Sequence, residues 1–88
     1  MKCYEFDDGG GITFYIAHVD EESARTFARD ECHEEEVDTY QVKELSVEEM
    51  EKMPLHDEDE GLTTMAEYFD RHNKQFPGQA ALLSHSEI

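Results

Sequence analysis

Positive charge is what this chain has least of. Seven lysines and arginines stand against twenty-three aspartates and glutamates, a formal net charge of −16. Repulsion alone disfavours binding to nucleic acid or to an anionic membrane, and it favours partners with basic surfaces. Cysteine is scarce as well: Cys3 and Cys32 are too few for a disulfide framework and are expected to be reduced cytosolic thiols. No apolar run approaches the roughly 20 residues of a membrane helix. The first residues, with Asp7, Asp8 and three glycines so close to the start, lack the apolar stretch of a signal peptide. The expectation is a soluble cytoplasmic protein. Its 88 residues make one domain, which buries only about two-thirds or less of its unfolded surface. That leaves little room for a deep substrate cavity beside a catalytic apparatus.

What is present centres on residues 12–34. From Ile12 to Val19 the residues are mostly β-branched or aromatic, with Ile12, Phe14 and Ile16 on one face and Thr13, Tyr15, Ala17 and Val19 on the other. Asp20 is placed to cap a helix, and Glu21 and Glu22 favour the positive end of its dipole. Ala24, Phe27, Ala28 and Cys32 then recur as a narrow apolar stripe that fits the strand's apolar face. Upstream, Lys2 to Phe6 alternates as a first strand, joined to the second through Asp7, Asp8 and the glycines, a β-hairpin with a five-residue loop. A phosphate-cradling loop would need a helix after those glycines, and a strand follows instead.

The helix is expected to fray into Glu34, Glu35 and Glu36, and residues 37–45 to form a third strand. Periodicity leaves open whether it lies parallel to the second strand or antiparallel to the first. Ser46 and Glu49 form a capping box, with Leu45 and Met50 as its hydrophobic staple, on a short helix stopped by Pro54. Residues 56–61 read as a charged loop. Thr64 and Glu67 open another helix, with Met65, Tyr68 and Phe69 as its apolar residues, ending near Lys74. The stretch from Gln79 onward reads as a loosely held tail. The fold class is α+β: a small, mainly antiparallel three-stranded sheet with one packed helix, in the order ββαβ, followed by two short helices, all in a single domain.

Metal and catalytic signatures are thin. The five histidines and two cysteines show no pair at C-x2-C or H-x3-H spacing, and adjacent helical residues such as Cys32 and His33 diverge by about 100°. The run beginning at Asp57 superficially resembles a calcium loop. Its glycine, Gly61, comes one position early, and Tyr68 stands where a bidentate glutamate belongs. A thiol–imidazole pair is the only nucleophilic option, and Cys32 looks like a small core residue. No cofactor and no enzymatic activity are expected.

The acidic runs are the serious candidates: Asp30, Glu31, Glu34, Glu35, Glu36 and Asp38; Glu44, Glu48, Glu49 and Glu51; and Asp57, Glu58, Asp59 and Glu60. Glu48 and Glu49 suit the first turn of their helix. Glu34, Glu35 and Glu36 fall at a helix C-terminus, where acids cost a few tenths of a kcal/mol each, so helix stability does not select them. Duplex DNA carries a phosphate about every 3.4 Å along each strand. Carboxylates one helical turn apart rise by about 6 Å, and alternate strand residues by about 6.6 Å, so a face of them reaches a phosphate-like density. The contacts expected are Glu34, Glu35, Glu36, Asp38, Asp57, Glu58, Asp59 and Glu60.

In size, acidity, α+β layout and lack of catalytic motifs the chain resembles the small anti-defence proteins of phages, anti-CRISPR proteins in particular, and DNA-mimic inhibitors of restriction enzymes. That resemblance implies a non-enzymatic inhibitor occupying a basic nucleic-acid-binding surface of a bacterial defence complex, without touching nucleic acid or membrane itself. The alternative is a small structural or interaction module whose acidity serves solubility. Its contact would be apolar: Met50, Met53, Leu55 and the Leu82–Leu83 pair.

Overall fold

The computed structural model describes residues 1–57 and 61–86. Its centre is the hairpin of β1 (Lys2–Asp7) and β2 (Thr13–His18), antiparallel with Tyr4 opposite Ile16 and Phe6 opposite Phe14. The loop between them is held by its own acids. Asp7 Oδ1 accepts from the Gly9 amide at 2.8 Å, and Asp8 Oδ1 accepts from the amides of Gly10 at 2.7 Å and Ile12 at 3.1 Å. Gly9 and Gly11 have φ of +82° and +104°, a region that side chains avoid, so two of the glycines are required by the turn. These amides are spent on carboxylates and none is offered to a phosphate.

Helix α1 (Glu21–Asp30) starts where Asp20 accepts from the Ser23 amide at 2.7 Å. Ala24 and Ala28 are fully buried in the cluster that contains Phe14 and Ile16, so the expected stripe does lie on that strand face. The helix does not fray into the glutamates. It stops at Asp30, and its last carbonyls are taken by widened bonds, Cys32 N–H to the Phe27 carbonyl at 3.4 Å and Glu34 N–H to that of Ala28 at 3.0 Å. The chain reverses at His33, whose φ of +60° is uncommon for a residue with a Cβ. Cys32 therefore lies beyond the helix and is half-buried, not a full member of the core.

The expected strand over 37–45 is shorter. Val37–Thr39 is a turn of 3-10 helix, and β3 occupies Gln41–Leu45. Val37 is β-branched, yet it is used as a plug: its side chain is fully buried and its carbonyl accepts from the Arg25 guanidinium at 3.0 Å. β3 pairs antiparallel with β1, which resolves the open choice of register. Its connection from β2 through α1 therefore steps over β1.

Helix α2 (Val47–Glu51) carries the full capping box, Ser46 Oγ accepting from Glu49 N–H at 3.1 Å and Glu49 Oε1 from Ser46 N–H at 3.3 Å. Two elements are absent from the sequence reading. The residues flanking the charged stretch form a second hairpin, β4 (Pro54–Asp57) with β5 (Gly61–Thr64). The supposed loose tail contains β6 (Ala81–Ser86), paired antiparallel with β2. The main sheet thus has four strands, not three, all antiparallel in the order β3-β1-β2-β6. Helix α3 (Met65–Gln75) is the longest of the three and not short; Thr64 caps it, accepting from Glu67 N–H at 3.2 Å.

The sheet separates two apolar layers. On one face Tyr4, Phe6, Phe14 and Ile16 pack with α1 and Val37. On the other Cys3, Ala17, Leu45 and Leu83 pack with Met50 of α2 and with Met65 and Phe69 of α3. Met50 and Leu83 are buried, and Met53 and Leu55 pack against the same cluster. Four of the five residues expected to form an intermolecular apolar contact are thus engaged in the core, and only Leu82, 40% exposed, faces outward.

Candidate functional site: the acidic surface and an open groove

The acidic residues around the end of α1 play three different parts. Glu34 is half-buried and accepts from the Tyr40 hydroxyl at 3.0 Å. Burial first, and then the Glu34 carboxylate, push the Tyr40 hydroxyl up to about 12. Asp38 accepts from the Arg29 guanidinium at 2.7 Å, tying the 3-10 turn back to α1. Glu35 and Glu36 are exposed, and among the described residues neither carboxylate has an ion-pair partner. The Glu36 carbonyl, by contrast, accepts from both the amide and the hydroxyl of Thr39, which fixes the backbone beneath the two acids. With exposed Asp30 and Glu31 just upstream, they form a ridge on the α1 layer.

Asp57, the other expected contact that is described, is not brought onto that layer by the topology. Asp57 ends β4, whose Leu55 packs with the α2–α3 cluster on the opposite face of the sheet. Glu58, Asp59 and Glu60 lie outside the described residues. Of that second group only Asp57 is described, and it ends a strand on the layer opposite to α1.

Most of the scarce positive charge is spent within the molecule. Lys2 pairs with Glu44 at 3.4 Å, Arg25 with Glu21 at 3.3 Å, Arg29 with Asp38 at 2.7 Å, Lys74 with Asp70 at 2.9 Å, and Lys43 with Glu49. Those five are most of the seven cations, so the acid that remains meets little local compensation. The Lys43 contact, followed by the Ser46 amide, holds the Glu49 carboxyl below its usual range, and the Glu49 partner raises Lys43 in turn. Arg71 rests over the Tyr68 ring, 5.9 Å from its centroid.

The thiols do not favour the charged form. Burial, with Glu5 adding to it, pushes the Cys3 thiol up to about 12, and burial next to Glu34 and Glu31 raises Cys32. Two histidines have separate partners: His18 accepts from the Val19 amide through Nδ1 and stands edge-on to Phe27, and His72 reaches the Gln79 carbonyl at 3.0 Å. Among the described residues no three His, Cys, Asp or Glu side chains are grouped to hold a metal. No helix among them is long and apolar enough to cross a membrane.

One feature has no counterpart in the sequence reading. An open groove of about 890 Å³ runs between the start of β1, the β3–α2 corner and α3. Leu45, Met50 and Phe69 form its floor, and Val47, 63% exposed, stands on its wall. The available signal was Val47 itself, an apolar residue at the first position of a helix and off the stripe that packs inward. Compared with protein-family models, with curated proteins and with solved structures, the chain matches none.

Proposed function

We propose that this protein is a non-enzymatic inhibitor that acts in the bacterial cytoplasm by docking its acidic α1 layer on a basic, nucleic-acid-binding surface of a defence complex, in the manner of anti-CRISPR proteins and DNA mimics. The observation that carries the reading is the disposition of charge. An excess of sixteen negative charges is kept in a chain whose few cations are mostly paired internally, and exposed Glu35 and Glu36 sit on a backbone fixed by Thr39. Such a ridge attracts a basic channel over a range set by the Debye length, about 8 Å at physiological salt. It speeds association more than it adds affinity.

The structure refines which acids to test. Reversing Glu34 would disturb Tyr40, and reversing Asp38 would place like charges at Arg29. Glu35→Lys with Glu36→Lys changes the ridge and leaves those contacts alone. A tagged pull-down from bacterial lysate, eluted in salt steps, should recover a nucleic-acid-binding complex released by moderate salt and competed by DNA. The doubly reversed variant should lose most of that recovery with an unchanged melting temperature. Equal recovery by the variant removes the ridge as the contact.

A further inference from the structure

The groove on the opposite layer of the sheet has a composition of its own. Its floor and wall are apolar, with Met1, Val47 and the edges of Leu45, Met50 and Phe69. Its rim carries four carboxylates, Glu44, Glu51, Glu67 and Asp70, against one cationic side chain, Lys2, and the amino group of Met1. Lys2 is already held by Glu44, and Asp70 is engaged by exposed Lys74 on its own helix. Exposed pairs of this kind are weak, so a bidentate guanidinium entering the groove can displace them. At one end lies Asn73, whose Oδ1 is buried without a hydrogen-bond donor.

We infer that this groove is a docking site for a short segment of a partner protein, an apolar side chain flanked by arginine or lysine. Apolar surface alone would accept many occupants. The acidic rim narrows the choice, because it asks for N–H donors and positive charge beside the apolar anchor. An acidic segment, or a nucleic acid, would meet four carboxylates at close range. The mode is the familiar one in which an anchor fills a pocket and rim charges fix its register. This site is separate from the acidic ridge on α1 and does not depend on the function proposed for it.

The test uses the full chain, isotope-labelled for amide NMR, and two synthetic peptides. One is amphipathic, with leucine anchors flanked by arginines; the other has every arginine replaced by glutamate. The arginine peptide should bind saturably, with shifts concentrated at the amides of Val47, Ala66 and Asn73, and the glutamate peptide should not bind. The deciding variant is Val47→Asp, at an exposed first-turn position where an acid does not threaten the fold. It adds negative charge, so diffuse electrostatic attraction would strengthen. Docking in the groove should instead weaken by about tenfold, or ~1.4 kcal/mol. Glu35→Lys with Glu36→Lys should leave the peptide affinity within about twofold, since that ridge is on the other layer. Shifts scattered over the acidic surface, affinity kept or raised in Val47→Asp, or no binding of the arginine peptide would each overturn the assignment.

Discussion

The two faces of the sheet solve the same packing problem with different materials. The α1 face is aromatic. Phe6 and Phe14 stack across the hairpin at 4.9 Å with their planes 5° apart, and Tyr40 meets Phe14 edge-on at 5.9 Å. Two alanines let the helix lie close above them. The opposite face mixes Met50 and Met65 with Cys3, Ala17, Leu45, Leu83 and one buried phenylalanine ring, Phe69, under two helices and a small hairpin, and it leaves a groove at one side. Thioethers adapt to irregular gaps where rings demand a fixed shape. The aromatic face can thus carry its exposed acids on a base of stacked rings, while the adaptable face has room for something to enter.

The largest effect that would break this contrast is Phe14→Ala. It removes the ring at the centre of the aromatic layer and should cost about 3–5 kcal/mol, whereas Met50→Ala, beside the groove on the other face, should fall near the lower end of about 2–5 kcal/mol. Urea denaturation of both variants checks the pair, and equal costs would mean that the two faces are packed alike.

Alkaline pH should come next, and it acts on both faces. Burial, then Glu5, raises Cys3 and Tyr15 to about 12 on the groove face; on the α1 face burial raises Tyr4, and burial with Glu34 raises Tyr40 to about 12. A raised folded value stabilises fully below the unfolded value, here 9.0 for the thiol and 10.0 for the phenols, and that contribution disappears as pH climbs through the folded one. Stability should therefore hold up to about pH 9 and fall between there and about pH 12. Tyrosinate absorbance followed beside circular dichroism would show it; tyrosines ionising at their ordinary value with the fold intact would contradict it.

Helix caps give a smaller and more even comparison. Asp20→Ala on the α1 face and Ser46→Ala on the groove face should each cost about 1 kcal/mol by thermal unfolding. The short α2 has less of its own to fall back on, so loss of Ser46 should also disturb Val47 at the groove wall. The Asp20 carboxyl, held low by the Ser23 amide, contributes above its ordinary value of 3.8 and loses that contribution as pH falls below 3.8 and through the lowered folded value. Asp20→Asn should flatten the acid limb of the stability profile.

The smallest expected effect is a gain. His33→Gly relieves a left-handed residue at the end of α1 and should raise stability by about 0.5–1 kcal/mol. A calorimetric melting temperature that does not rise would show that the His33 backbone is not strained.

These contrasts bear on what the sequence could disclose. The first hairpin, α1 and all three caps were legible because their signals are local: alternation in β2, and a side-chain oxygen three residues before the amide it accepts from at Asp20, Ser46 and Thr64. Val37, Asp38 and Thr39 misled because a β-branched residue next to a strand looks like part of it, while the helix end at His33 sends it inward as a plug. β6 was invisible for a different reason. Its sequence from Ala81 to Ser86 has weak strand character, and pairing with β2 supplies what propensity does not. The β4–β5 hairpin was hidden by its charge and by Pro54, which a strand tolerates at its first residue. The groove was less legible still, because it depends on how α2 and α3 approach the sheet, a quantity with no period in the chain.

The order β3-β1-β2-β6 also sets a timetable. Everything on the α1 face, including three adjacent strands, is encoded before residue 46, so that half can assemble as soon as it leaves the ribosome. One edge of β2 must then wait, with its amides and carbonyls unpaired, until residues 81–86 arrive from the far end of the chain. During that interval the edge is a template for a strand from another molecule. A strongly acidic nascent chain repels its neighbours, so the charge that shapes the mature surface also guards the half-made sheet.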